Sequence, residues 1–266
     1  MSGTVPTLSI LFMAVSCLIG FAIPIFLFIY FRTKKKADIL PFLIGCAVML
    51  VFALILESAV HRVVLFSNVG EMIQNNIWLY ALYGGFMAGL FEETGRLVAF
   101  KTVLKSKQEK DVNALMYGAG HGGFEAAALL GIAMINNIVY AVIINSGNAA
   151  AITGSLSGDI LTQVETAIQG LIATPSYQFL LGGVERVFAV TVQISLSALV
   201  WFAAKKKDRW YLYPLAILIH FIVDAATVAL SRIGMSMIGI EAVIGVMAVM
   251  AAILAKRVWT VYADCA

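Results

Sequence analysis

The stretch GLFEETGRLVAFK, residues 89–101, decides how this chain is read. It continues a segment, IWLYALYGGFMA at 77–88, that is long and apolar enough to cross a bilayer as one helix. Two glutamates and an arginine therefore sit where a charge costs roughly 2.5–3.5 kcal/mol on insertion scales. Charges kept at that depth face protein or water, and by default they mark function.

The rest of the chain supplies the same setting. Of its 266 residues 61% are hydrophobic and 12% charged, with net charge +3; soluble domains carry about 25% charged residues. Mean hydropathy is +0.94. The expected fold is all-α, a polytopic transmembrane helical bundle forming a single integral membrane domain over 1–266. Membrane lipids surround it, and no basic domain stands outside the membrane to make nucleic acid a partner. Cys17, Cys46 and Cys265 form neither a disulfide framework nor a zinc spacing. The opening MSGTVPTLSILFMAV lacks a basic n-region and does not read as a cleaved signal.

About seven spans follow from the apolar runs, near 7–31, 39–66, 77–100, 112–145, 178–204, 210–231 and 235–256. The fourth is too long for one perpendicular crossing, so it tilts, emerges, or breaks near Asn136-Asn137. Lys34–Lys36, Lys101–Lys110, Lys205–Arg209 and Lys256-Arg257 follow alternate spans. The positive-inside rule then puts the N-terminus out and the C-terminus in the cytoplasm. The 146–177 outer-side loop continues as ILTQVETAIQGLIA at 160–173, where Ile160, Leu161, Val164, Ile168, Leu171 and Ile172 recur at helical spacing. That predicts an amphipathic helix in the outer interface, either packed on the bundle or gating a lateral opening.

Polar residues inside the spans pair up at i,i+4: Glu92/Arg96, His121/Glu125, His220/Asp224 and Glu57/His61. Each pair shares one helix face. Measured from the nearest basic cluster at 1.5 Å per residue, Glu92 lies roughly 14 Å deep, His121 15 Å, His220 17 Å and Gln193 18 Å. Glu125 and Asp224 lie about a turn deeper, and Glu57 and Glu185–Arg186 lie roughly 28–30 Å in. Two layers are expected: a mid-membrane site, and an outer structural contact between Glu57 and Arg186. Glu241 falls near the outer end of the last span and is expected to be solvated. A lone buried histidine is an ordinary interhelical hydrogen-bonder, and one Glu–Arg pair an ordinary staple. Four polar side chains from four helices at one level call for more. A carboxylate among imidazoles can act as general base on water, or join the histidines around a divalent metal such as zinc with one position left for water. Arg96 can hold one glutamate ionised, which separates the two neighbouring carboxylates into two roles.

Taken in order, these motifs resemble the superfamily of CAAX prenyl proteases, bacteriocin-processing enzymes, PrsW and APH-1, and within it the YhfC family of intramembrane metalloproteases. EETGR at 92–96 is similar to the paired-glutamate motif, in the shorter form found on the PrsW side. GHGGFEA at 120–126 resembles the glycine-rich second motif, and HFIVD at 220–224 the His-x-x-x-Asp motif. LESAVH at 56–61 and GGVERVFAV at 182–190 look like further YhfC-type segments. The resemblance implies an endopeptidase of a prokaryotic inner (plasma) membrane, cutting a membrane-protein or peptide substrate near or within the bilayer. It implies Glu92 or Glu93 activating water, with His121 and His220 ligating metal or stabilising the oxyanion. Arg96, Glu125, Gln193 and Asp224 support the site; Glu92 and Asp224 join the histidines as metal ligands. Glu57, His61, Glu185 and Arg186 are structural polar residues. One departure stands out. The family pattern leads us to expect a histidine about two turns after Glu185-Arg186, where this chain has Gln193, which can bond an oxyanion but ligates metal poorly. The residues alone leave open a non-catalytic scaffold or a proton-coupled transporter built on the same Glu/His set.

Overall fold

A computed structural model describes residues 3–263, so Cys265 lies outside the described residues. All regular structure among them is helical. The long helices are α1 (Thr7–Thr33) and α2 (Leu40–Leu65), then, after a short α3 (Asn68–Gln74), α4 (Ile77–Lys101) and α5 (Val112–Asn145). A short α6 (Ala150–Thr153) and α7 (Gly158–Ala173) precede α8 (Ser176–Lys205), α9 (Leu212–Arg232) and α10 (Met237–Tyr262). Six of these are long and apolar enough to cross a membrane: α1, α2, α5, α8, α10 and the segment Lys207–Arg232 that contains α9. α4 has the length, 25 residues, but Glu92, Glu93, Arg96 and Lys101 dilute its apolar character.

The ends are set by caps and charge. Asn76 accepts from the backbone N–H of Trp78 and Leu79 to start α4, and the Ser236 hydroxyl accepts from Gly239 to start α10. Basic residues close α1, α4 and α8. α5 does not break at Asn136-Asn137. It runs through, with a π-helical segment at Ala126–Gly131, and α2 carries another at Met49–Glu57.

α8 is the hub. It packs against α1, α4, α5, α9 and α10, and 67% of its most apolar 18-residue window is buried, against 17–28% for the other five. Its C-terminal half forms the main apolar core: Leu196, Leu199, Val200, Trp201 and Phe202 pack with Phe100, Leu104 and Tyr117. α4 lies along α9, and α5 is wedged between α1, α2 and α8. α7 buries Ile168 against Val5, Met13 and Ala141, with Val164, Leu171 and Ile172 packed beside it, while Ile160 is exposed.

Two crossings depend on missing side chains, as close helix packing in membranes generally does. A Cβ on Gly120 would meet the Phe42 carbonyl oxygen at 2.1 Å, and one on Gly45 the Tyr117 carbonyl oxygen at 2.3 Å, so α2 and α5 touch backbone to backbone. A Cβ on Gly85 would meet the Phe221 carbonyl oxygen at 2.6 Å where α4 meets α9. At the basic end of the bundle Asp38 ties two loops together, accepting from Lys110 at 2.9 Å and pairing with Lys107 at 3.4 Å. The Lys110 hydrogen bond holds the Asp38 carboxyl below the usual carboxylate range, so this tie is made above the ordinary aspartate range and is lost only in stronger acid.

Gly120→Ala is expected to cost about 1–3 kcal/mol by overpacking. Gly84→Ala, whose Cβ meets nothing within 4 Å, is expected to be neutral. Denaturation of both variants in detergent micelles checks the contrast.

Candidate functional site

Four helices contribute to one polar cluster. α4 brings Glu92, Glu93 and Arg96, and α5 brings His121 and Glu125. α8 brings Glu185, Arg186 and Gln193, and α9 brings His220 and Asp224. Its centre is dry: Glu93, Arg96 and His121 have no exposure, and Glu92, Gln193 and His220 are buried.

The bonds form one connected path. Arg96 Nη1 donates to both Glu93 oxygens, at 2.6 and 2.5 Å, and Nη2 to Gln193 Oε1 at 2.5 Å. Gln193 Nε2 donates onward to Glu92 Oε2 and to Glu125 Oε2, each at 2.9 Å. His121 Nε2 lies 2.8 Å from the same Glu92 oxygen. His220 Nδ1 lies 2.8 Å from Glu93 Oε1, and its Nε2 is 4.0 Å from Glu92 and 3.5 Å from Asp224. Arg186 bonds Glu125 at 2.7 Å and also bonds Glu185.

A cavity of about 90 Å³ opens within this set, lined among others by Glu92, Glu125, Arg186, Gln193, His220 and Asp224. That is room for a few waters. Exposure rises along it, from buried Glu92 to the Asp224 side chain at 38%. Five carboxyl groups (Glu92, Glu93, Glu125, Glu185, Asp224) face two guanidiniums, Arg96 and Arg186. Protonated imidazoles, protonated carboxyls or a bound cation must offset the remaining three negative charges, because isolated buried charge costs several kcal/mol per ion.

Three expectations need correction. Arg96 pairs with Glu93 at i,i+3 rather than with Glu92 at i,i+4; both spacings share a helix face, and one guanidinium nitrogen, Nη1, reaches both Glu93 oxygens. The Glu57–Arg186 contact is not made. Glu57 bonds His61 at 3.1 Å, and His61 bonds the Tyr83 hydroxyl at 2.9 Å, while Arg186 and Glu185 line the same cavity as Glu92. Glu241 is buried, not solvated, and its Oε2 has no hydrogen-bond partner among the described residues.

Sequence reasoning missed Tyr117. Its ring stacks on His121 with centroids 5.9 Å apart, and its fully buried hydroxyl has no hydrogen-bond partner among the described residues. The i−4 spacing from His121 was the available signal. The two π-helical segments left no signal at all, yet one ends at Glu57 and the other begins directly after Glu125. π-bulges gather at functional sites.

The donor types suit a divalent cation: two imidazoles, carboxylates, and a ring whose far nitrogen is held by a second carboxylate, as His220 is by Glu93. The spacing does not present a ready-made site. Among the described residues, no group of three or more His, Cys, Asp and Glu side chains is placed to hold an ion. His121 and Glu92 touch at 2.8 Å, where two ligands sharing a tetrahedral zinc stand about 3.3 Å apart. His121 Nδ1 has no hydrogen-bond partner among the described residues, but the ring is fully buried, bonded through Nε2 to Glu92 and stacked on Tyr117.

Comparison with known proteins agrees with the motif order. The family model described as YhfC intramembrane metalloprotease matches residues 19–250. The chain is 38% identical over 226 residues to a protein of Bacillus subtilis (strain 168) described as uncharacterized membrane protein YhfC, covering 84% of this chain and 86% of that one. No solved structure matches the chain.

Arg96→Met is expected to strand the buried Glu93 carboxylate and lower stability by about 3–5 kcal/mol, with Glu93→Gln in the same chain restoring most of the loss. Chemical denaturation of the single and double variants reads this. An equal loss in both would show that the pair is not what holds α4 in place.

Proposed function

The chain belongs to the YhfC intramembrane metalloprotease family, and we propose that it is an endopeptidase that hydrolyses a peptide bond of a membrane-protein or peptide substrate at the cavity beside Glu92. The observation that carries this reading is the unequal treatment of two adjacent carboxylates. Arg96 clamps Glu93 with two bonds. Glu92 touches no guanidinium; it meets an imidazole and an amide and lines the cavity. In this reading one carboxylate is fixed and the other takes a proton from a water.

The remaining residues divide the work. Glu93 holds His220 through Nδ1, which aims Nε2 toward Glu92 and Asp224. In this reading His220 and His121 polarise the scissile carbonyl or its oxyanion. Gln193 spends both amide N–H groups on Glu92 and Glu125 and so bridges the two carboxylates. Asp224 and Glu125 line the polar path by which water reaches Glu92. If a divalent metal such as zinc is present, His121, His220, Glu92 and Asp224 would hold it, and it would supply Lewis-acid polarisation of the water or carbonyl. Its negative surplus and nitrogen and oxygen donors favour that set, and Gln193 stands outside it.

A non-catalytic scaffold is the second reading. It is favoured by the completeness of the network, in which Gln193 and His121 already occupy one oxygen of Glu92.

Glu92→Gln separates the two. Terminal-peptide mass spectrometry of membranes from cells expressing the wild type should show new cleavage termini, which fall by about 10²–10⁴-fold with Glu92→Gln while the variant stays folded. Identical termini in both membranes would leave the scaffold. Metal analysis of purified wild type, Glu92→Ala and His220→Ala should show occupancy falling in both variants; equal content in all three removes the metal from this site.

A further inference from the structure

A second cavity, about 460 Å³, lies at the basic end of the bundle, away from the Glu/His cluster. Lys101 ends α4 and Lys105 follows it; Lys205 ends α8, with Lys207 and Trp210 in the turn toward α9. Together with Gln108 they line this space.

Local acids do not use up the positive charge there. Asp38 takes Lys107 and Lys110, Asp111 takes Lys205, and Asp208 takes Arg209. Among the described residues, Lys101, Lys105 and Lys207 make no ion pair with a carboxylate. The C-termini of α4 and α8 attract cations, but each carries only about half a negative charge. Two helix ends offset about one lysine, so the cavity keeps a surplus of about two.

Its surroundings set the class of ligand. Trp210 is 68% exposed, an amphipathic ring of the sort that lies at headgroup depth, and Ala203 and Ala204 line the space with it. A soluble anion would have no use for that apolar border. A lipid does, because its phosphate and acyl chains lie side by side. Basic pockets between membrane helices take anionic headgroups.

We propose that this cavity binds an anionic phospholipid of the phosphoglycerol class, with Lys101, Lys105 and Lys207 holding the phosphate diester and Trp210 lying against the glycerol–acyl boundary. The site is independent of any peptidase activity.

The test uses full-length protein in phosphatidylcholine nanodiscs into which phosphatidylglycerol is titrated, with retained lipid counted by native mass spectrometry. The wild type should retain phosphatidylglycerol preferentially. Each lysine contributes about fivefold, so Lys101→Gln/Lys105→Gln/Lys207→Gln should weaken the preference by roughly a hundredfold. All three positions are exposed, and an unchanged melt in pure phosphatidylcholine confirms folding. The corresponding triple arginine variant should keep the preference, as should a control with Lys34, Lys35 and Lys36 changed to Gln. Equal loss in that control would reduce the effect to surface charge and overturn the site. So would displacement of the lipid by inorganic phosphate at matching concentration, or no preference in the wild type.

Discussion

The polar cluster of this bundle is arranged around one buried guanidinium. Arg96 has no exposure, and neither has Glu93 beneath it. Moving two such ions out of water costs several kcal/mol each, and their mutual attraction offsets this only with good geometry and further hydrogen bonds. The geometry is met here and most of the bonds are made, although Arg96 Nε has no hydrogen-bond partner among the described residues. The arginine fork places two bonds on Glu93 and one on Gln193, and His220 takes up a further lone pair of the carboxylate. Those partners come from α8 and α9, so the pair is satisfied only when three helices are already assembled. α4 falls outside the six helices that composition alone would put in a membrane. Its neighbours make it tenable, and in return it fixes where they stand.

A buried ion pair is weak grounds for stability, since apolar residues of similar volume often serve as well. Its worth here is specificity. With Arg96 committed to Glu93, the adjacent carboxylate is left facing a cavity, and a helix that binds both would lose that asymmetry. The glycines serve the same end. The Gly85 approach brings α9 against α4, so His220 reaches Glu93 directly rather than through water.

The sequence was informative wherever a property varies along a helix axis. Apolar runs and basic clusters placed α5 at 112–145 and α4 to within a residue at its end. Depth counted from the lysines put Glu92, His121, His220 and Gln193 at one level, and the structure places these four in one network. What failed was azimuth. Counted depth sets Glu57 and Arg186 at one outer level, yet Glu57 bonds His61 while Arg186 reaches inward to Glu125 and the Glu92 cavity, because depth ranks residues without saying which way or how far their side chains reach. Glu241 misled for the same reason: a position near a helix end looks wet unless the face it occupies is known. The π-helical segments change azimuth without changing composition, so no periodic pattern could report them.

Azimuth also sets which part of this charge set lies at the edge of the bundle. Glu92, Gln193, His220 and Asp224 line one cavity whose exposure increases from the Arg96 side toward Asp224 and Glu185, at 38% and 32% of their side chains. The fully buried end is where the arginine sits and electrostatic interactions are strongest; at the other end Glu185 bonds Arg186 and Asp224 stands 3.5 Å from His220. The polar chain therefore has one end anchored in the core and one end exposed at the bundle's edge. That separation follows from a single difference along α4: Arg96 stands three residues from Glu93 and bonds it, and four from Glu92 and does not.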